Sequence, residues 1–196
     1  MRSRLLALLC CCLVPVSILL VLPACDDEDA ARSRISIVRI AEPGDTDDLS
    51  ATPLQCDVRD IGPDDEPFTD DDTVVEDVLM ITVQNRSASS AFPVDPNGPF
   101  GSVVITGYRI DYHADGESIE PLEGSLQLVV PSGGEALAAI VVVSAATKAR
   151  PPLSTLAQTR GEILGSATIT LFGHEATSED DVSAQGSIQI HFADWI

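Results

Sequence analysis

Apolar and polar residues alternate with period two along much of this chain, and runs with helical spacing are rare. Ile35-Ser36-Ile37-Val38-Arg39-Ile40 predicts a short strand, and Leu54 to Val58 a second. Val74 to Gln84 is longer. Val75, Leu79, Ile81 and Val83 share one of its faces, and Glu76, Val78, Met80, Thr82 and Gln84 the other. Pro93 to Gly101 reads as a loop around Asp95-Pro96-Asn97-Gly98-Pro99. Val103 to His113 puts Tyr108, Ile110 and Tyr112 opposite Arg109, Asp111 and His113, and Asp115-Gly116 supplies a turn. Leu126 to Val130 and Ala136 to Ser144 flank Pro131-Ser132-Gly133-Gly134, the pattern of a hairpin. Ile163 to Phe172 and Ser187 to Phe192 form a last pair, with Thr168, Thr170, Gln189 and His191 outward. Thr147 to Gln158 has room for one short helical turn, because Pro151-Pro152 stops a longer helix from starting ahead of them.

Seven or eight strands follow one another without helical crossovers, so an all-β antiparallel sandwich is expected rather than a parallel α/β sheet. Ile105-Thr106-Gly107-Tyr108-Arg109-Ile110-Asp111-Tyr112, followed by Asp115-Gly116, resembles the central strand and turn of a fibronectin type III domain. The likeness covers about 12 residues and implies an immunoglobulin-like β-sandwich. Trp195, the only Trp, lies far from the early strand where such folds bury one, and no Tyr occupies Ala167 to Phe172.

The N-terminus has a different pattern. Met1-Arg2-Ser3-Arg4 is basic, and Leu5 to Cys25 carries no charge. A basic start before an apolar run is the signal-peptide pattern. It ends in Leu22-Pro23-Ala24-Cys25, which resembles the lipobox of bacterial lipoproteins, with Pro23 in place of the usual small residue. The resemblance implies diacylglycerol on the Cys25 sulfur, cleavage before Cys25 and acylation of the new amino group. Residues 1–24 are then the signal peptide, 25–34 the lipidated Cys and an acidic tether, and 35–196 the β-sandwich domain. An uncleaved membrane anchor and plain secretion are the competing readings, and all three put the body outside the cytoplasm. More than one acyl chain gives a stable anchor. In enteric lipoproteins an Asp after the Cys favours inner-membrane retention. Asp26-Asp27-Glu28-Asp29 stands there, and inner and outer membrane both remain open.

Charge narrows the partners. The chain has 31 acids against 11 bases, a formal charge of −20. Loss of Arg2 and Arg4 with the signal takes this to −22. Such a body repels phosphate backbones and anionic head groups, so nucleic acid is excluded as a partner. Cys10, Cys11 and Cys12 leave with the signal and Cys25 takes lipid. Cys56 is then the lone thiol, without an intramolecular disulfide partner and expected as a small buried hydrophobe.

Motifs for chemistry are scarce. His174-Glu175 lacks the second His of a zinc-protease helix, and Gly116-Glu117-Ser118 lacks the closing Gly of a nucleophile elbow. His113 and His191 lie on polar strand faces, read as solvent-facing. The densest constellation is Pro63 to Asp72, where Asp64, Asp65, Glu66, Asp70, Asp71 and Asp72 offer the oxygen ligands that Ca²⁺ takes, without EF-hand spacing. A solvated loop is the plainer reading of it. The expectation is a non-enzymatic lipoprotein of the bacterial cell envelope, held to the bilayer through acylated Cys25, with a structural or protein-interaction domain facing an envelope partner. The alternative is a small-molecule, carbohydrate or calcium binder. Exposed clustering of Tyr108, Tyr112 and Trp195 would favour that binder, and their dispersal into the core the scaffold.

Overall fold

The computed structural model describes residues 32–45, 53–60, 72–89, 101–114 and 116–195. They form a mostly β structure with eight strands and two short helices: β1 (Ser33–Ala41), β2 (Leu54–Asp57), β3 (Asp77–Ser87), β4 (Val103–Ala114), β5 (Leu122–Val130), β6 (Glu135–Val143), α1 (Ala145–Lys148), α2 (Leu153–Thr159), β7 (Glu162–Glu175) and β8 (Asp181–Ala193). One sheet has the order β1-β3-β6 and the other β2-β8-β7-β4-β5. The inner faces share one core, with Ile35, Leu79, Ile81, Val83 and Ile140 from the first sheet meeting Ile105, Ile110, Ile169, Leu171, Ile188 and Phe192 from the second. Period-two alternation explains this: each strand sheds water from one face only.

The pairing of β7 with β8 matches the sequence reading, in register from Glu162↔Ala193 to His174↔Asp181. Several details differ. β1 already includes Ser33 and Arg34, which the sequence assigns to the tether. β3 starts at Asp77, and Val75 is exposed rather than on the face of Leu79. Thr170 is buried although it points outward, because Arg109 and Gln185 flank it in register and Gln185 Nε2 donates to its Oγ1 at 3.2 Å. Two helices, not one turn, surround the cis Pro151-Pro152 bond, and Ser144 caps α1 by accepting the Thr147 amide at 3.0 Å.

Two departures concern topology. β5 and β6 are not a hairpin: residues 131–134 carry the chain from one sheet to the other. Gly134 donates to the Pro131 carbonyl, closing the turn, and the Asn85 amide takes the Gly134 carbonyl, which brings the following strand onto β3. The second departure is β2, which joins β8 in parallel, Leu54↔Ile190 to Asp57↔Ala193. The larger sheet is therefore mixed. β2 and β8 are far apart in the sequence, with five strands between them, so no tight turn forces them antiparallel.

Registers define two ends. Ser33, Ser87, Val103, Val130, Glu135 and Glu175 gather at the end where the chain enters β1. Asp57, Asp77, Val143, α1 and the C-terminal Trp195 gather at the other.

Candidate functional site

Cys25 and the acids Asp64, Asp65, Glu66, Asp70 and Asp71 lie outside the described residues. Asp72 is described: its side chain is 2% exposed, and Arg59 Nη1 is 3.7 Å from its Oδ2. The stem of the acidic loop is clipped by paired backbone bonds, Asp60 N to Thr73 O at 2.8 Å and Thr73 N to Asp60 O at 3.1 Å. Among the described residues, no group of three His, Cys, Asp or Glu is arranged to hold a metal ion. His113 is exposed. His191 reaches Glu162 Oε2 at 2.9 Å and meets the Trp195 ring edge-on at 4.8 Å.

The rings are dispersed. Tyr108 and Tyr112 point into the space between the sheets and bond to the backbone of β6. Tyr108 Oη accepts the Val141 amide at 3.2 Å, and Tyr112 Oη donates to the Val142 carbonyl at 2.5 Å. They thus tie the larger sheet to the smaller one. Gly124 leaves room for Tyr108, since a β-carbon there would lie 2.2 Å from its Cζ.

The densest buried chemistry sits at the far end from the β1 entry. Lys148, the chain's only lysine, is 3% exposed. Its Nζ donates to the Asp57 carbonyl at 2.6 Å and to Asp77 Oδ1 at 3.0 Å. The Ser144 cap and the short α1 aim the side chain inward, and β2 and β3 each present one acceptor. Asp77 Oδ2 is buried and has no hydrogen-bond partner. Burial raises the Asp77 carboxyl above the usual carboxylate range, against the opposing pull of Cys56 and Lys148. Cys56 is fully buried, as the sequence reading expects, and burial together with Asp77 drives its thiol far up. An amine, a carboxyl and a protonated thiol therefore meet where water is scarce. The sequence reading missed this trio. Its one available signal was the lysine: of the eleven Lys and Arg residues, the other ten are Arg.

Asp57 and Asp194 extend the acidic character of this end. Asp57 Oδ1 accepts the amides of Trp195 at 3.2 Å and Arg59 at 3.3 Å, and burial still raises its carboxyl. Asp194 is also raised, chiefly by burial, with Asp72 adding repulsion and Arg59 and Arg160 opposing it. Its Oδ2 has no hydrogen-bond partner. A carboxyl raised on folding binds its proton more tightly when folded. Stability then falls as pH rises from the unfolded value through the folded one. Asp194→Asn removes that loss. Its melting temperature is expected to exceed that of the parent at pH 7 and to converge with it near pH 3. Melting curves across that range check the sign, and a variant less stable at pH 7 contradicts it.

At the β1 entry a second polar network is purely internal. The Ser33 amide donates to buried Glu175 Oε1, and Ser33 Oγ to the Gly101 carbonyl at 2.9 Å. Asn85 Nδ2 donates to the same carbonyl at 2.7 Å, and Ser178 Oγ to Glu175 Oε2 at 2.9 Å. These bonds clasp the start of β1 to both sheets. Each of these donors thus has an acceptor, as burial requires.

No family model matches the chain, and no curated protein matches it.

Proposed function

We propose that this chain is a lipid-anchored protein of the bacterial cell envelope, whose immunoglobulin-like β-sandwich serves a structural or protein-interaction role without catalysis. The observation that carries the reading is the uncharged run that follows Arg2 and Arg4 and ends in Leu22-Pro23-Ala24-Cys25. The strand order supports the fold assignment. β1-β3-β6 corresponds to strands A-B-E of an immunoglobulin domain, and β8-β7-β4-β5 to G-F-C-C′. Apolar Leu79, Ile81, Ile169 and Leu171 fill the space between β3 and β7, where antibody domains place a disulfide. Tyr108 and Tyr112 pack in or against the core while Trp195 is exposed, so the three rings form no exposed cluster, and this favours the scaffold over a ligand binder.

The geometry suits a tethered module. An anchor ahead of Ser33 attaches at one end, which leaves the helices and the stem of the acidic loop at the end facing away. Mass spectrometry of protein from the native envelope tests the anchor. The expected mature N-terminus is acylated Cys25, and Cys25→Ala is expected to accumulate as uncut, unlipidated precursor. An unmodified chain starting at Met1 sinks the lipoprotein reading and favours an uncleaved anchor.

A further inference from the structure

We propose that Lys148 and Asp77 close an intramolecular isopeptide bond, an amide between the two side chains that joins the end of α1 to the start of β3. Lys148 is the chain's only amine side chain, and it is placed in contact with a carboxyl in a site nearly closed to water. For charge pairing alone an arginine serves as well, and the other ion pairs among the described residues use Arg or His. What lysine adds is a nucleophile.

The reaction balances without any co-reactant. The ammonium proton passes along the existing 3.0 Å bond to Asp77 Oδ1, which leaves a neutral amine beside a neutral carboxylic acid. The Nζ lone pair adds to Asp77 Cγ. The C–O bond to the hydroxyl breaks, and that hydroxyl leaves with one amine proton as water. The N–H that remains on nitrogen keeps its bond to the Asp57 carbonyl. Nothing is oxidised or reduced. Three neighbours favour this course. Burial raises the Asp77 carboxyl, which favours the protonated form that a nucleophile can attack once the proton has passed to it. The Cys56 thiol, kept protonated, is the group able to donate to the oxyanion that forms on Cγ. The fold fixes amine and carboxyl in contact, an effective concentration on the order of 10⁵–10⁸ M for well-oriented groups, which opposes reversal by water.

Peptide mapping of the purified, folded chain tests the bond and is blind to how the N-terminus is processed. The expected result is a branched pair of peptides, one holding Asp77 and one Lys148, lighter together by one water. A cyclic imide at Asp77 also loses water, but it leaves two linear peptides and survives Lys148→Arg. Lys148→Arg is expected to restore the full sequence mass. Asp77→Asn distinguishes a bond from an ion pair: an amide carbonyl still reacts, so the branched pair is expected to form with loss of ammonia instead of water. Circular dichroism confirms that each variant is folded. Linear peptides of full mass from folded parent protein overturn the proposal and leave a buried ion pair.

Discussion

Ile110→Asp is expected to abolish folding. Ile110 lies in the middle of β4, fully buried, paired with Ile169 on one side and Leu122 on the other. Removing its side chain alone costs about 2–5 kcal/mol, as large-to-small core changes do. The introduced carboxylate would lie among the apolar side chains of the core, and burying it there costs several kcal/mol more. Domains of this size are stable by about 5–15 kcal/mol, so the combined loss consumes most or all of the margin. The expected readout is loss of the strand signal in far-UV circular dichroism and accumulation of insoluble protein. Ile110→Val keeps the shape and is expected to cost only about 0.5–1.5 kcal/mol. Gln189→Lys, on the exposed face of β8, is expected to stay within about 0.5 kcal/mol. A folded, cooperative Ile110→Asp protein contradicts the core assignment.

Gly173→Ala is expected to be the most damaging single methyl group. A β-carbon there would lie 2.3 Å from the Val104 carbonyl oxygen and 2.9 Å from Ile105 Cα. Both are backbone atoms of β4, next to the register shift between Ile105 and Gly107, so no side-chain rotation relieves the clash. Overpacking of this kind costs about 1–3 kcal/mol, and the upper end applies when backbone must move. Gly186→Ala is the matched control. Its β-carbon would meet side-chain atoms of Ile37 and Ile40 at 3.3–3.4 Å, which can yield. Reduced freedom of the unfolded chain returns about 0.4–1 kcal/mol, so a near-neutral result is expected. Urea midpoints for the two variants decide the matter. Equal midpoints contradict the close approach of β4 to β7 at Gly173.

Alternation was enough to place the strands, because it records which side of each one meets water. Ile110, Ile169 and Leu171 were legible for that reason. Partner choice leaves no such trace. The run through Pro131-Ser132-Gly133-Gly134 looks the same whether the next strand pairs back or crosses to the opposite sheet, and Asn85 decides it from 49 positions away. The parallel seat of β2 on β8 was illegible for the same reason, being a contact between strands far apart in the sequence. The Lys148–Asp77 pair spans 71 positions, and neither residue belongs to a local motif. Only the scarcity of lysine hinted at it. The candidate lipid site and most of the acidic loop were read from local sequence alone.

The clasp at the start of β1 determines how this fold would carry a load. A pull on the chain ahead of Ser33 runs along β1, while its rungs to β3 lie across the strand. The strand is therefore drawn out lengthwise, and the rungs from Ser33 to Ala41 share the strain together instead of opening one at a time. Before any of them slips, the bonds of Ser33 to Glu175 and Gly101 must part, and these reach into the other sheet. Tension entering ahead of Ser33 would thus be spread over both layers, the behaviour of a shear joint rather than a zipper.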